Sequence, residues 1–295
     1  MSLSWNGPIF EEVRHAFFGK PVRMRPDENA MSMWDQLNNF DRGRFADSNL
    51  LAFSPPWGDE QIQWWHDQMF ATHGIYPDDL GEMLSASVEG PKVVTLLDLD
   101  PKQNSFVIRV KEAHGETGEV WWHQRALDLK GRLFKAERMV VPIDQQRKGK
   151  GRVLMADLVD TSLRLGLREI AVEAQDVGRY VWARFGFVPD RGSWRYHIQV
   201  EAPRRLRLSE RQIKPANYRA YRDLLDRDDP LVIREIARWS DMVDSTRSYD
   251  GDGNPEKIAI GKAVLLETPA DWYGTFRLED LETKRIFEEY VGRKK

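Results

Sequence analysis

Gln146-Arg147-Lys148-Gly149-Lys150-Gly151 joins a β-branched run ending at Val141 to a stretch whose apolar residues, Val153, Leu154, Leu158, Val159, Leu163 and Leu165, recur at helical spacing until Gly166. Strand, glycine-rich turn and helix in that order make this an α/β chain. Two glycines one residue apart let the backbone curl so that successive N–H groups point into one concavity, and the helix that follows adds unpaired amides and the positive end of its dipole. Such a concavity suits a pyrophosphate. A tight strand-to-helix turn with solvated basic residues reads the same way, and both readings stay open on the loop alone. It is not a Walker loop, because no Gly-Lys-Ser or Gly-Lys-Thr follows, nor a dinucleotide fingerprint, because the third glycine is missing.

Upstream of the loop the pattern is that of an antiparallel meander. Val93–Leu97, Ser105–Val110, Glu119–Trp122 and Leu133–Val141 are short β-branched and aromatic runs separated by turn residues. Farther upstream, Pro21–Arg25 alternates as an edge strand does, and helices are expected over Ala30–Phe40 and Gln61–Thr72, the second stopped by Gly74 and Pro77. Ser54-Pro55-Pro56-Trp57-Gly58 breaks the chain between them. Downstream come a strand at Arg168–Ala174, a short helix at Val177–Phe185 ended by Gly186, and a strand at Trp194–Val200. After Pro203 the residues Arg204, Arg205, Arg207, Arg211 and Lys214 read as a solvated basic linker. Helices at Ala216–Leu225 and Leu231–Val243, a polar loop at Asp244–Glu256, a strand or buried helix at Ile258–Leu266 and an amphipathic helix at Leu278–Val291 complete the chain.

Loop and context together resemble the GCN5-related N-acetyltransferase (GNAT) superfamily. The family's acetyl-CoA loop is Gln or Arg, two residues, Gly, one residue, Gly or Ala, and Gln146, Gly149 and Gly151 fill those places. Its Asn-x-x-Ala-x-x-x-Tyr-x-x-x-Gly-Phe helix has its counterpart in Gln175-Asp176-Val177-Gly178-Arg179-Tyr180-Val181-Trp182-Ala183-Arg184-Phe185-Gly186-Phe187. The match is firm from Phe134 to Pro189 and absent after Pro203. It implies a GNAT-like mixed central sheet that splays apart, flanked by helices, over residues 1–202 with a motif core at 88–200, and an α/β extension of unknown role over 203–295.

The resemblance also implies a chemistry. Acetyl-CoA, as acyl donor, would lie in the gap, its pyrophosphate on the amides of Arg147, Lys148, Gly149, Lys150, Gly151 and Arg152, and its pantetheine arm along the main chain of Met139, Val140 and Val141. Gln175 stands for the family's Asn and would reach the same arm or the strand edge. A deprotonated primary amine attacks the thioester, a strand N–H stabilises the oxyanion and a side chain protonates the departing thiolate. Glu137, on the strand before the loop, is the candidate base. The family's proton donor is a Tyr, and that place is Trp182, which the resemblance puts at the cofactor and whose indole can donate a hydrogen bond but has no proton to give up near neutral pH. Tyr180 points ~200° around the helix from Trp182 and is no substitute. Transfer without the donor remains feasible because a thiol of pKa about 8.5 leaves as the thiolate. The alternative is a non-catalytic member of the fold that serves as a binding or scaffold module.

Composition bounds the partners. Over 295 residues, 44 Lys and Arg balance 47 Asp and Glu, so nucleic acid ranks last among partners. No run of 18 apolar residues exists and the first residues lack a leader's basic and apolar regions, so a cytoplasmic protein without membrane contact is expected. With no cysteine, thiolate chemistry is excluded. His66 and His73 share a helix face without a third ligand, and Asp250-Gly251-Asp252-Gly253-Asn254 starts like a calcium loop but has Pro255 and Gly261 at decisive places, so no metal is expected. His123 reads as a strand histidine with solvent on one side. Homodimer formation and the identity of the amine acceptor are left open.

Overall fold

The computed structural model describes residues 40–113, 120–146 and 148–292. The edge strand at Pro21–Arg25, the helix expected before Phe40, and Arg147 lie outside the described residues. Strand β1 (Leu51–Ser54) precedes the double-proline turn and was not foreseen. Helix α1 (Asp59–Trp65) opens on Asp59 and Glu60, continues through a wide turn at His66–Phe70 and a last turn at Ala71–His73, and stops at Gly74. Pro77, read as part of that stop, instead opens helix α2 (Pro77–Met83), where its missing N–H has no partner to lose.

Strands β2 (Lys92–Asp100), β3 (Ser105–Glu112), β4 (Trp122–Asp128) and β5 (Leu133–Val140) form an antiparallel meander. The strand expected at Glu119–Trp122 thus begins where it was expected to end. Its inward positions include His123 and Arg125, and these polar residues conceal the alternation from a hydrophobicity reading. Helix α3 (Lys150–Arg164), strand β6 (Glu169–Ala174), helix α4 (Gly178–Phe185) and the two-residue strand β7 (Val188–Pro189) follow.

The strand expected at Trp194–Val200 is helical. Asp190 caps it by accepting from the Ser193 amide, and a wide turn at Trp194–Ile198 leads into helix α5 (Gln199–Leu208). The sequence Trp194, Tyr196, Ile198, Val200 fits a period of two, but the buried residues are Trp194, Ile198, Ala202 and Leu206, four apart, while Tyr196 and Val200 face solvent. Arg205, assigned to a solvated linker, is buried on this helix and donates to Glu267 at 2.7 Å. After helix α6 (Pro215–Leu225), the helix expected over Leu231–Val243 ends at Ile236, and the polar loop expected at Asp244–Glu256 is the hairpin of β8 (Met242–Tyr249) and β9 (Pro255–Ala259). Helix α7 (Ile260–Leu266) is buried, and Gly261 is required there because a Cβ would sit 2.0 Å from the Ile236 carbonyl oxygen. Strand β10 (Trp272–Arg277) and helix α8 (Leu281–Val291) end the chain.

Among the described residues, eight strands make one mixed sheet in the order β1-β2-β3-β4-β5-β6-β10-β7. β10, far along the chain, enters between β6 and β7 and runs antiparallel to both. One face carries Val94, Phe106, Ile108, Leu127, Phe134, Ala136, Ile170, Val172, Trp272 and Phe276, all buried against the helices. The other face carries Arg109, Lys111, Lys135, Glu137, Arg138, Glu173, Tyr273 and Arg277, all exposed. The fold is therefore a mixed α/β sheet flanked by helices. Among the described residues no helix is long and apolar enough to cross a membrane.

Candidate functional site

The sheet divides next to the glycine loop. β5 and β6 pair in parallel only from Leu133 with Glu169 to Ala136 with Val172, although β5 continues to Val140 and β6 to Ala174. Two irregularities produce the division. β5 bulges against β4, where Ala136 and Glu137 together stand opposite Arg125, and a bulge bends and twists its strand. β6 is meanwhile held by β10 as far as Ala174. Beyond Ala136 the edge of β5 that would face β6 has no partner strand among the described residues, which leaves backbone groups available to a ligand.

The mouth of this gap is the loop. Gly149 caps α3 with φ +82°, a left-handed conformation that costs any residue with a Cβ roughly 1 kcal/mol or more, and the space beside it is open. The amides of Lys148, Gly149, Lys150 and Gly151 make no hydrogen bond among the described residues, whereas that of Arg152 donates to the Gly149 carbonyl at 2.9 Å. The Arg152 guanidinium lies over the Tyr290 ring, 4.7 Å from its centre, and Arg184 lies over the same ring at 5.0 Å. Gln146 points away from the cradle and secures the loop by donating from Nε2 to the Val141 carbonyl at 3.0 Å. A Cβ on Gly151 would touch Met139 at 3.6 Å, so the helix start rests against β5.

Glu137 projects from the bulge onto the open face. Arg109 donates to Gln124 Oε1 at 3.1 and 2.7 Å, and Gln124 Nε2 donates to Glu137 Oε2 at 2.8 Å. The carboxylate keeps its other oxygen for solvent or substrate. Beside it Trp122 lies between the guanidiniums of Arg109 and Arg138, at 5.5 and 5.3 Å. Across the gap, Gln175 donates to Glu173 at 2.7 Å, and the Tyr273 hydroxyl donates to the same oxygen at 3.0 Å. That hydrogen bond, with the Glu173 charge, raises the Tyr273 pKa. Trp182 is buried against Phe185 and Phe187, with ring centres 5.8 and 5.1 Å away, and is core rather than cleft lining.

Two inward residues of β4, His123 and Arg125, are buried, so His123 lacks the solvent-facing side expected of it. His123 is buried, and burial first, then the Arg125 guanidinium, push it well below the usual imidazole range, so the ring is neutral at pH 7. A weak hydrogen-bonding contact with the Leu84 backbone pulls the other way without outweighing them. Complete burial pushes Arg125 down to about 10 against the pull of Glu137, and it stays charged at neutral pH. Polar residues at two of the three inward positions of β4, with Leu127 at the third, are the available signal.

The Asp250 carboxylate accepts from the Asp252 and Asn254 amides and closes the β8–β9 hairpin. Among the described residues no group of three or more His, Asp or Glu could hold a metal ion. A depression of ≈ 250 Å³ lined by Asp98, Ser105, Ala126, Asp128 and Lys135 lies at the end of β3 and β4 remote from the loop and shares no residue with the gap. No family model, no curated protein and no solved structure matches the chain.

Proposed function

We propose that the protein is a GNAT-like enzyme that transfers an acyl group, most simply acetyl, from coenzyme A to a primary amine by direct attack. The observation that carries this reading is the parting of β5 from β6 beside a left-handed glycine turn and the start of a 15-residue helix. An extended thioester fits a gap edged by backbone that is unpaired among the described residues, and its pyrophosphate fits amides that have no acceptor among them. Met139, Val140 and Val141 offer the edge of β5 to the pantetheine arm. The bulge at Ala136 and Glu137 supports two further roles there, a backbone N–H for the oxyanion and a carboxylate for the amine's proton. The thiol leaves as the thiolate, since Trp182 supplies no proton. A cytoplasmic location belongs to the same reading.

A non-catalytic scaffold is the second reading, favoured by the burial of Trp182 where the family carries its proton donor. The two are separated by incubating the purified protein with acetyl-CoA and a panel of primary amines and following free thiol and product mass. The enzyme gives stoichiometric thiol and acetylated amine. A scaffold gives neither with any amine while still binding its ligand.

A further inference from the structure

Trp121, His123 and Arg125 follow one another on the helix-facing side of β4 and are 0%, 1% and 1% exposed. Among the described residues Trp121 Nε1 and Arg125 Nε have no hydrogen-bond partner, and neither ring nitrogen of His123 makes more than a weak contact with the Leu84 backbone. Arg125 Nη1 donates to the carbonyls of Gln124 and Arg138, at 3.0 and 3.1 Å, and among the described residues no carboxylate lies within ion-pair distance of the guanidinium. Leaving a charge buried without a counter-ion is strongly unfavourable, and an orphaned buried N–H bears its full desolvation penalty. The orphans are donor-rich: an indole N–H, a guanidinium N–H and, on either tautomer, one imidazole N–H. Among the described residues, acceptor oxygens carrying negative charge within hydrogen-bonding distance are what this group lacks, Glu137 acting only through its field.

The position adds a route. Arg125 stands opposite the bulge where β5 leaves β6, and the Lys150 ammonium, at the start of α3, lies 5.6 Å from the Trp121 ring centre. The cluster therefore lies one strand away from the gap, across β5, with Trp121 near the start of α3. Trp121 and His123 stack with ring centres 6.1 Å apart and planes 20° from parallel, and Arg125 follows them on the same side of β4.

We propose that Arg125, His123 and Trp121 form a binding site for a small carboxylate, whose oxygens complete the buried guanidinium and the orphaned N–H groups. The carboxylate can arrive free or as the tail of an acyl group on coenzyme A. The site itself does not rest on the acyl-CoA reading, because free carboxylate tests it alone.

The test is calorimetric titration of the full chain with succinate, acetate, succinyl-CoA and acetyl-CoA, for the parent, Arg125→Met and Trp121→Phe. The parent should bind succinate or acetate, or succinyl-CoA more tightly than acetyl-CoA. Trp121→Phe should weaken that binding by roughly 10- to 100-fold, as expected for a lost hydrogen bond to a charged group. Arg125→Met should abolish it while melting at or above the parent temperature, because an apolar side chain of similar length relieves an uncompensated buried charge. Preference for succinyl-CoA with no binding of free succinate assigns the carboxylate to the acyl donor, and equal affinity for free succinate assigns it to a free ligand. Three results overturn the proposal: no carboxylate binds and the two thioesters bind alike, binding survives Arg125→Met, or Arg125→Met melts lower or fails to fold, which makes the guanidinium a structural tie. Failure of both thioesters with retention of free succinate would sink the acyl-CoA reading and leave this site standing.

Discussion

Glu137 owes its place to the β5 bulge and to Gln124, which holds one of its oxygens. If it takes the amine's proton, Glu137→Gln lowers kcat by roughly 10²- to 10⁴-fold, the usual range for a lost general base, and leaves acetyl-CoA affinity unchanged. Steady-state kinetics beside calorimetry separates the two effects, and an unchanged kcat removes Glu137 from the mechanism. The sequence showed which residues could form the cradle because glycine spacing is a local property. It did not show that Trp182 points into the core, because that depends on how α4 settles against the sheet and its neighbours. Arg125 is not legible in the sequence, and the solvent-facing side expected for His123 is wrong, for a related reason. A polar residue at an inward strand position breaks the alternation by which a strand is recognised, and only the packed structure shows what it meets.

At the scale of elements, α3, β6, α4 and α8 were legible because apolar periodicity and a bounding glycine or cap agree in each. Trp194–Val200 was not, because two periods fit the same residues and burial chose the longer. β10 went unread because the run from Trp272 to Phe276 is short and interrupted by Gly274. That glycine is needed, since a Cβ would stand 2.5 Å from the Val188 carbonyl oxygen and from the Trp272 ring. Gly274→Val should destabilise the fold by about 2 kcal/mol through overpacking, seen as a lower denaturant midpoint, and an unchanged midpoint would mean that β7 and β10 do not pair as described. Arg205 on α5 and Glu267 after α7 make a buried pair, with side chains 4% and 3% exposed. Breaking it by Arg205→Ala should cost about 3–5 kcal/mol, because the carboxylate is left buried without its partner. A loss below 1 kcal/mol, measured the same way, would show the pair to be solvated.

For the whole molecule, acid stability follows from two windows. His123 is held neutral, so below pH 6.5 the unfolded chain binds a proton that the folded chain refuses, and stability falls as pH falls. His73, lowered by burial and then by Arg164, acts in the same direction. Burial pushes Glu267 up, but hydrogen bonds from Ser245 and Arg205 outweigh it, so its carboxyl ends below the ordinary value of 4.5. Its contribution is present above 4.5 and is lost as the pH falls through the lowered value. The melting temperature should therefore begin to drop below pH 6.5, and His123→Phe should flatten the profile between pH 6.5 and the carboxylate window. A parallel profile for the variant would place the loss elsewhere. The claim on which the functional account depends is that the gap and the glycine turn hold an acyl-CoA. Titration of the purified protein with acetyl-CoA, beside a Gly149→Glu variant that puts the wrong charge and a strained backbone in the cradle, tests it most directly. The account predicts saturable binding by the parent and none by a folded variant, and absence of binding by the parent would contradict it.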